Sequence, residues 1–397
     1  MFRPLRHAFD RIVTTGYLRL IDPEGRVHAF GERSGAPVVA RITDRRTERL
    51  LFLNPTLAAG EAYMEGRLVM ERGTIYDFLE LVLANLNYAR WPSWAKALED
   101  LRFASRWLHQ FNPQPRAKRN VKHHYDLDGR LYELFLDSDR QYSCAYFEQE
   151  GISLDEAQAA KKRHLAAKLN LRDGMKVIDI GCGWGGLALY LAQTAHVEVT
   201  GITLSEEQRQ IAEERARAMG LSNAVTFKLC DYRALDGQFD RIVSVGMFEH
   251  VGIAHYRSFF ARVGELLAKD GVALLHSIGR FDGPASTNPF IEKYIFPGGY
   301  IPALSEVLRA IERNGLLVTD VEILRLHYAM TLRHWRQRFR YQNLMVFQLQ
   351  LTKDQKARGA DGRGFAPVSE VIPPRCSQAK HLALSPVLAS LNSCPTR

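Results

Sequence analysis

One segment constrains the fold of this chain more than any other: an apolar run that passes directly into closely spaced glycines. Residues 177–186 have the sequence Val-Ile-Asp-Ile-Gly-Cys-Gly-Trp-Gly-Gly. Glycine is required where the backbone turns sharply and where it must approach a ligand with no Cβ in the way. The apolar residues before the glycines are typical of a buried strand, and those after them favour a helix. The segment therefore predicts a strand, a tight ligand-binding turn and a helix.

The spacing of these glycines narrows the class of ligand. Asp179 stands two residues before Gly181, and Gly183 completes a D-x-G-x-G arrangement. This arrangement resembles the S-adenosylmethionine (SAM)-binding loop of Rossmann-type methyltransferases, which implies that these three residues lie at a SAM site. Two other interpretations are a dinucleotide-binding turn, which uses related glycines, and a strand–helix turn that binds no ligand.

Strands and helices alternate through the middle of the chain. The pattern predicts strands at 176–180, 198–202, 225–229, 239–245 and 271–277. Helices are predicted between them at 186–194, 205–219 and 255–268. Such alternation is the signature of a doubly wound α/β sheet. We therefore predict an α/β fold, with a Rossmann-like SAM-dependent methyltransferase domain preceded by a small α+β N-terminal domain.

The chain divides into four predicted parts. Residues 1–90 hold short alternating segments at 17–21 and 38–42 and an apolar helix at 74–86, which predict the small α+β domain. Residues 91–121 contain several prolines and predict a linker with one helix near 94–110. Residues 122–352 form the predicted catalytic domain. Residues 353–397 are rich in Gly, Pro, Ala and Ser without periodicity, so we expect a disordered tail.

Charge and cysteine content limit the possible partners. The formal net charge of +9 suits an anionic partner, either a membrane surface or a nucleic acid. Basic residues lie among tryptophans near 91–122 and 325–340, as in segments that attach to anionic lipid. A solvated basic face explains the charge equally well. Without a nucleic-acid-binding motif we expect no nucleic-acid partner, and five cysteines without C-x-x-C spacing suggest neither a disulfide framework nor a zinc site.

The hydrophobic segments bear on localisation. The longest apolar runs, such as 187–192, are far too short to cross a bilayer. Arginines interrupt residues 1–20, where a signal peptide would need an unbroken apolar stretch. We therefore expect a cytoplasmic protein.

Four further segments make the resemblance specific to one family. They are Gln-Tyr-Ser-Cys-Ala-Tyr-Phe at 141–147, Gly-Met-Phe-Glu-His-Val-Gly at 246–252, His-Ser-Ile-Gly at 276–279 and His-Tyr-Ala-Met-Thr-Leu at 327–332. With the glycine loop and Gly-Ile-Thr-Leu-Ser-Glu-Glu-Gln at 201–208, they resemble the cyclopropane-fatty-acyl-phospholipid synthases, relatives of the mycolic acid cyclopropane synthases. The resemblance extends over residues 10–352.

This resemblance implies a reaction and two binding sites. Enzymes of the family transfer a methylene group from SAM to the double bond of an unsaturated phospholipid acyl chain, with bound bicarbonate as the base. By motif position, bicarbonate would be held by Cys144, Gly246, Glu249, His276, Ile278 and Tyr328, of which Cys144, Glu249, His276 and Tyr328 are the expected catalytic residues. SAM would contact Tyr142, Ser143, Asp179, Gly181, Gly183, Thr203, Leu204, Gln208, Tyr232 and Arg233.

Each expected catalytic residue also has a purely structural interpretation. An isolated cysteine is more often a small buried apolar residue than a site residue. His276 could instead be a core histidine whose hydrogen bonds are satisfied. Tyr328 could be a packing residue, and Glu249 could be a surface acid. We expect His250 and Cys182 to be structural rather than functional.

The resemblance further implies where the protein acts and what it contacts. The expected partners are unsaturated phospholipids at the inner face of the membrane, to which the protein would bind peripherally. A homodimer is possible, and the N-terminal domain would serve in lipid contact or in dimerisation.

The sequence departs from the family in two places. The second predicted strand ends without the carboxylate that many such enzymes use to bind ribose, which leaves Thr203 and Gln208 as candidates. Near the C-terminus, a helical stretch that helps to wall the acyl pocket in the family is missing, and its flanks join directly at Phe339 and Arg340. Two alternatives therefore stay open. One is a SAM-dependent alkene methyltransferase that gives a methyl-branched lipid, and the other is a non-catalytic lipid- or SAM-binding remnant.

Overall fold

The structure, a computed structural model, describes residues 1–86, 93–110, 132, 135–335 and 344–352. These residues form two β-sheets. The first is four-stranded, with strands β1 (Tyr17–Ile21), β2 (Val27–Gly31), β3 (Val38–Ile42) and β4 (Leu68–Arg72) in the order β2-β1-β3-β4. Helices α1 (Arg3–Ile12), α2 (Arg45–Leu53), α3 (Pro55–Met64) and α4 (Ile75–Ala84) accompany this sheet.

The N-terminal sheet follows from the alternation seen in the sequence. Strand β1 pairs antiparallel with β2 and parallel with β3, and β3 pairs antiparallel with β4. Leu18, Leu20 and Ile42 are buried, so alternate strand residues face the core, as a half-buried strand requires. The first and third strands have the bounds expected from the sequence. Helix α4 begins at Ile75 because Thr74 caps it in a reciprocal pair with Asp77.

The second sheet has seven strands and carries the cleft described below. In chain order they are β5 (Lys176–Ile180), β6 (Glu198–Thr203), β7 (Val225–Leu229), β8 (Phe239–Val245), β9 (Leu267–Arg280), β10 (Leu317–Ile323) and β11 (Leu344–Thr352). The helices that follow α4 are α5 (Ser93–His109), α6 (Leu154–Leu169), α7 (Gly186–Ala195), α8 (Glu206–Ala218), α9 (Tyr256–Leu266), α10 (Leu304–Glu312) and α11 (Arg325–His334). The spatial order is β10-β11-β9-β8-β5-β6-β7.

This sheet confirms the predicted Rossmann-like α/β class. Strands β5 to β9 pair in parallel, and β11 alone among the described strands of this sheet runs in the direction opposite to the other six. One face packs against helices α6, α7 and α8, and the other packs against α9 and α10. Strand order reverses between β5 and β8, and such a switch point opens a crevice at the carboxyl ends of the strands. The glycine loop follows β5, so it lies at that crevice.

Most predicted elements are confirmed, and the differences have physical reasons. Strand β9 is longer than the predicted 271–277 because it is hydrogen-bonded on both sides, to β8 and to β11. Helix α6 and strands β10 and β11 were not predicted. The junction at Phe339 and Arg340, the tail at 353–397 and much of the predicted linker at 91–121 lie outside the described residues, and the domain boundaries stay predictions. None of the helices in the described ranges combines the length and apolarity needed to cross a membrane.

Helix α5 is joined to the larger sheet's helices by a buried ion pair. The Arg106 guanidinium lies 3.1 Å from Oε1 of Glu306, and both side chains are about nine-tenths buried. The other carboxylate oxygen, Oε2, accepts hydrogen bonds from the Tyr300 hydroxyl (2.7 Å) and the Ala303 N–H (3.0 Å). Glu306 therefore connects α5 with the start of α10.

Replacing Arg106 with methionine is expected to lower the free energy of unfolding by about 3 kcal/mol, since breaking a buried pair leaves an uncompensated charge. Urea unfolding would measure the loss. Arg209→Met is the matched control, because Arg209 pairs with Glu206 and Glu213 on the surface of α8 and should cost less than about 1 kcal/mol. Equal losses in the two variants would contradict this role of Arg106.

Candidate active site

The glycine loop can be formed only by glycines at several positions. Gly181, Gly183 and Gly185 all have positive φ angles, of 86°, 54° and 81°. A Cβ on Gly181 would lie 2.7 Å from the Cβ of Met247, and one on Gly185 would lie 2.7 Å from the Phe227 ring. The loop thus needs glycine both for its backbone conformation and for its close packing.

This loop forms the floor of a cleft at the carboxyl ends of the parallel strands. Every residue expected to contact SAM lines the cleft: Tyr142, Ser143, Asp179, Gly181, Gly183, Thr203, Leu204, Gln208, Tyr232 and Arg233. The walls also contain residues that were not expected there, including Arg140, Gln141, Trp184 and Met247. His250 and Cys182, which were predicted to be structural, line it as well. Burial lowers the pKa of His250 to about 4, so its imidazole is neutral.

The wall at the end of β6 uses hydroxyl and amide groups in place of a carboxylate. The hydroxyl of Thr203 donates to Oε1 of Gln208 at 2.8 Å, and both side chains are buried. Ser205 caps helix α8 by accepting the Gln208 N–H at 3.3 Å. This arrangement fixes Thr203 and Gln208 in the wall.

The wall at the end of β7 combines an aromatic ring with a fixed cation. The Arg233 guanidinium donates to both carboxylate oxygens of Asp231, at 2.8 and 2.6 Å. It lies 5.5 Å from the centre of the Tyr232 ring. A planar cation and an aromatic ring held side by side suit a flat heterocycle such as adenine.

A second group of expected residues meets beside the cleft, centred on Glu249. Oε1 of Glu249 accepts the backbone N–H of Ile278 at 2.6 Å. Its other oxygen, Oε2, is buried and has no hydrogen-bond partner among the described residues. Burial raises the pKa of Glu249 to about 7, although the hydrogen bond from the Ile278 N–H opposes that rise. A buried carboxylate oxygen without a partner is costly, which indicates an acceptor held ready for a ligand.

The remaining expected residues of this group are neutral. The backbone N–H of Gly246 donates to the carbonyl of His276 at 2.9 Å, which brings together the ends of β8 and β9. Burial lowers the pKa of His276 to about 3, so the imidazole carries no charge. Cys144 and Tyr328 pack together with Ile278 in a small apolar cluster. Burial raises the pKa of both the Cys144 thiol and the Tyr328 hydroxyl, so neither ionises and Cys144 is no thiolate nucleophile.

Sequence reasoning missed the side chains that hold the segment over the cleft. Gln158 and Lys161 of α6 are fully buried and bind residues 141 and 143 from behind. Asp139 accepts from Lys162 of α6 at 2.5 Å and forms an ion pair with Arg215 of α8. A signal was present, because 158, 161 and 165 share one face of a helix and Leu165 is buried on it. Polar residues on an apolar helical face indicate buried partners.

Comparison with known proteins places the chain in a family. The family described as mycolic acid cyclopropane synthetase matches residues 113–356. A "Probable fatty acid methyltransferase" of Pseudomonas putida is 41% identical over 284 residues, which cover 70% of this chain and 69% of that protein. The "Cyclopropane-fatty-acyl-phospholipid synthase" of Escherichia coli (strain K12) is 39% identical over 304 residues, which cover 77% of each chain.

Solved structures agree. The cyclopropane synthase MmaA2 from Mycobacterium tuberculosis has 32% identity and a TM-score of 0.56, over 61% of this chain and 99% of that one. The same values apply to the mycolic acid cyclopropane synthase CmaA1 complexed with SAH and CTAB. The family that the sequence motifs resembled is thereby confirmed. The chain belongs to the mycolic acid cyclopropane synthetase family and is a SAM-dependent methyltransferase.

Proposed function

We propose that this enzyme transfers a methylene group from SAM to the double bond of an unsaturated phospholipid acyl chain and closes a cyclopropane ring. The observation that carries the proposal is the buried Oε2 of Glu249, which lacks a partner among the described residues. It lies beside an apolar cluster and next to the SAM cleft, which His250 and Val251 help to line. The relatives named as cyclopropane synthases support the same reaction.

The chemistry explains why such surroundings are needed. SAM supplies an electrophilic methyl group, but an isolated alkene is a weak nucleophile, so the two must be held close and in line. Methyl transfer leaves a carbocation on the acyl chain, and water would quench it. Loss of a proton from the new methyl group then closes the ring, so the net addition is one CH2. The apolar cluster of Cys144, Leu324, Tyr328 and Leu332 excludes water where the acyl chain would react.

The residues around Glu249 fit the bicarbonate that the family resemblance implies. The free Oε2 would accept its O–H, while the Tyr328 hydroxyl and the neutral His276 are suited to bind its oxygens. Bicarbonate held there would act as a base toward the methyl proton. Glu249 must be ionised to accept that O–H, whereas Tyr328 must keep its proton to donate.

The pH dependence of the reaction should report this ionisation. Because the pKa of Glu249 is raised to about 7, its carboxyl is protonated below that pH and cannot accept a proton. We expect kcat/KM for the lipid to fall about tenfold per pH unit below about pH 7 and to level off above it. Initial rates must be measured at a fixed bicarbonate concentration, adjusted at each pH. A level profile down to about pH 6 would contradict the role of Glu249.

We further propose that the enzyme binds its substrate at an anionic phospholipid surface, with which it associates peripherally. The net charge of +9 favours such a surface. Leu101 and Phe103 of α5 are exposed, and so is Leu53 of α2. Arg102 connects α5 with the end of α2, because its guanidinium donates a hydrogen bond to the Asn54 side chain at 3.1 Å. Exposed apolar residues beside arginine suit the interface between lipid headgroups and acyl chains.

The test is a product analysis. Purified enzyme is incubated with SAM, bicarbonate and vesicles of monounsaturated anionic phospholipid, and the acyl chains are analysed by gas chromatography and mass spectrometry. The expected product is one CH2 heavier than the substrate and co-elutes with a cyclopropane standard. A methyl-branched or methylene product would instead establish alkene methylation without ring closure. Unchanged lipid together with measurable SAM binding would overturn both and identify a non-catalytic remnant.

A further inference from the structure

One cation buried behind the SAM cleft has no carboxylate in contact with it among the described residues. Lys161 of α6 is only 1% exposed. Its ammonium donates to Oε1 of Gln141 at 2.5 Å and to Oγ of Ser143 at 2.8 Å, both of which are uncharged acceptors. The other lysines nearby on α6 differ, because Lys162 pairs with Asp139 at 2.5 Å and Lys168 pairs with Asp320 at 2.6 Å.

An ammonium buried without a carboxylate in contact is expensive. Three aspartates attract Lys161 electrostatically, namely Asp137, Asp139 and Asp179. None of them forms an ion pair with it among the described residues. Asp179 compensates it incompletely, because burial raises the pKa of Asp179 to about 7. The positive charge of Lys161 is therefore left without a carboxylate in contact among the described residues.

The hydrogen bond from Lys161 also fixes the direction of the Ser143 hydroxyl. A serine hydroxyl has one proton to donate and two lone pairs to accept. Burial lowers the pKa of Lys161 to about 8, so below that pH it is an ammonium without a lone pair and can only donate. Ser143 then accepts from it and keeps its own proton for another group. Ser143 lines the cleft, so that proton is available to an acceptor on the bound ligand.

The position of Ser143 selects which part of SAM it faces. Tyr232 and Arg233, suited to adenine, follow β7 at one edge of the sheet. Tyr142, next to Ser143, has its carbonyl 3.8 Å from a Cβ placed on Gly246 at the end of β8. Since β5 and β6 separate β7 from β8, Ser143 lies toward the opposite end of the cleft from the adenine wall. The aminoacyl end of SAM carries a carboxylate and extends away from the adenine.

We propose that Lys161 is a positioning residue for the carboxylate of SAM, which it attracts by its charge and binds through the Ser143 hydroxyl. Gln158 completes the arrangement without charge. It is fully buried, and its amide donates to the carbonyls of Gln141 (3.2 Å) and Ser143 (2.9 Å). Gln158 thus fixes the backbone of the segment, and Lys161 fixes the direction in which the Ser143 hydroxyl donates.

Binding calorimetry without lipid tests the proposal, using SAM and decarboxylated SAM, which differ only in the carboxylate. We expect Lys161→Met to lower the affinity for SAM about 10- to 100-fold, as for loss of a charge-assisted hydrogen bond. The affinity for decarboxylated SAM should fall less than about threefold. Gln158→Met is the matched control. This variant loosens the same segment, residues 141–143, without removing a charge. The affinities for both ligands should therefore fall by the same factor.

Two results in the Lys161→Met variant would overturn the proposal. One is a parallel loss of affinity for both ligands in Lys161→Met, which would make Lys161 a scaffold for the segment or a partner of Asp179. The other is unchanged SAM affinity in that variant. Should Lys161→Met fail to fold, Ser143→Ala removes only the relaying hydroxyl, and it must also lose discrimination between SAM and decarboxylated SAM. Retained discrimination in Ser143→Ala would refute the relay. None of these outcomes depends on lipid turnover, so they are independent of the proposed cyclopropane product.

Discussion

Replacing Glu249 with glutamine should lower the rate of cyclopropane formation by about a thousandfold, within the range typical of a lost acid–base group. Glutamine has nearly the shape of glutamate but only one acceptor oxygen. The Ile278 N–H already occupies Oε1 at 2.6 Å, so the oxygen of glutamine would face Ile278. Its NH2 would then stand where the unpartnered Oε2 now lies. An acceptor would thus become a donor at the point where the bicarbonate O–H is expected.

Two measurements separate this effect from damage to the fold. Initial rates are measured with unsaturated vesicles at saturating SAM, and SAH affinity is measured by calorimetry. SAH affinity should stay within about twofold of wild type, because Glu249 lies beside the cleft and does not line it. Glu265→Gln is the control for neutralising a carboxylate, since Glu265 is exposed on α9 and pairs with Arg262. A Glu249→Gln enzyme with more than about a tenth of the wild-type rate would show that Oε2 is no essential acceptor.

Replacing Gly183 with alanine should weaken SAM binding by about 10- to 100-fold, the effect of forcing one methyl group into a filled site. Gly183 has a φ of 54°, and no protein atom lies within 4 Å of a Cβ placed there. The protein therefore has room for the methyl group. Gly183 lines the cleft, however, so the space that the methyl group fills belongs to the ligand.

The chain offers a closely matched control for this substitution. Gly220, just after α8, has a φ of 70° and also no atom within 4 Å of an added Cβ, but it does not line the cleft. Both alanine variants should lose about 1 kcal/mol of stability, the usual cost of a positive φ in a residue with a Cβ. Only Gly183→Ala should lose affinity for SAM. Equal SAM affinities in the two variants, measured by calorimetry, would show that the ligand does not approach Gly183.

Some parts of this protein were determined by its sequence alone. The glycine loop could be assigned to a ligand from residues 177–186, because only glycine satisfies both its positive φ angles and its close packing. Strands β5, β7 and β8 have the bounds that the apolar pattern predicted, since such patterns depend on near neighbours in the chain. The family motifs placed every expected SAM contact in the wall of one cleft.

Other parts were decided by the tertiary structure, because they depend on residues far apart in the sequence. Strand β9 extends beyond its predicted bounds through pairing with β11, a strand that was not predicted. The Ile278 N–H donates a hydrogen bond to one carboxylate oxygen of Glu249, which lies 29 residues earlier in the sequence. Burial of that carboxyl raises its pKa to about 7. Lys161 appeared in the sequence as one charge among many on a helix. Packing of α6 beneath Ser143 makes it a buried cation, since burial and counter-ions are properties of the assembled fold and not of a residue type.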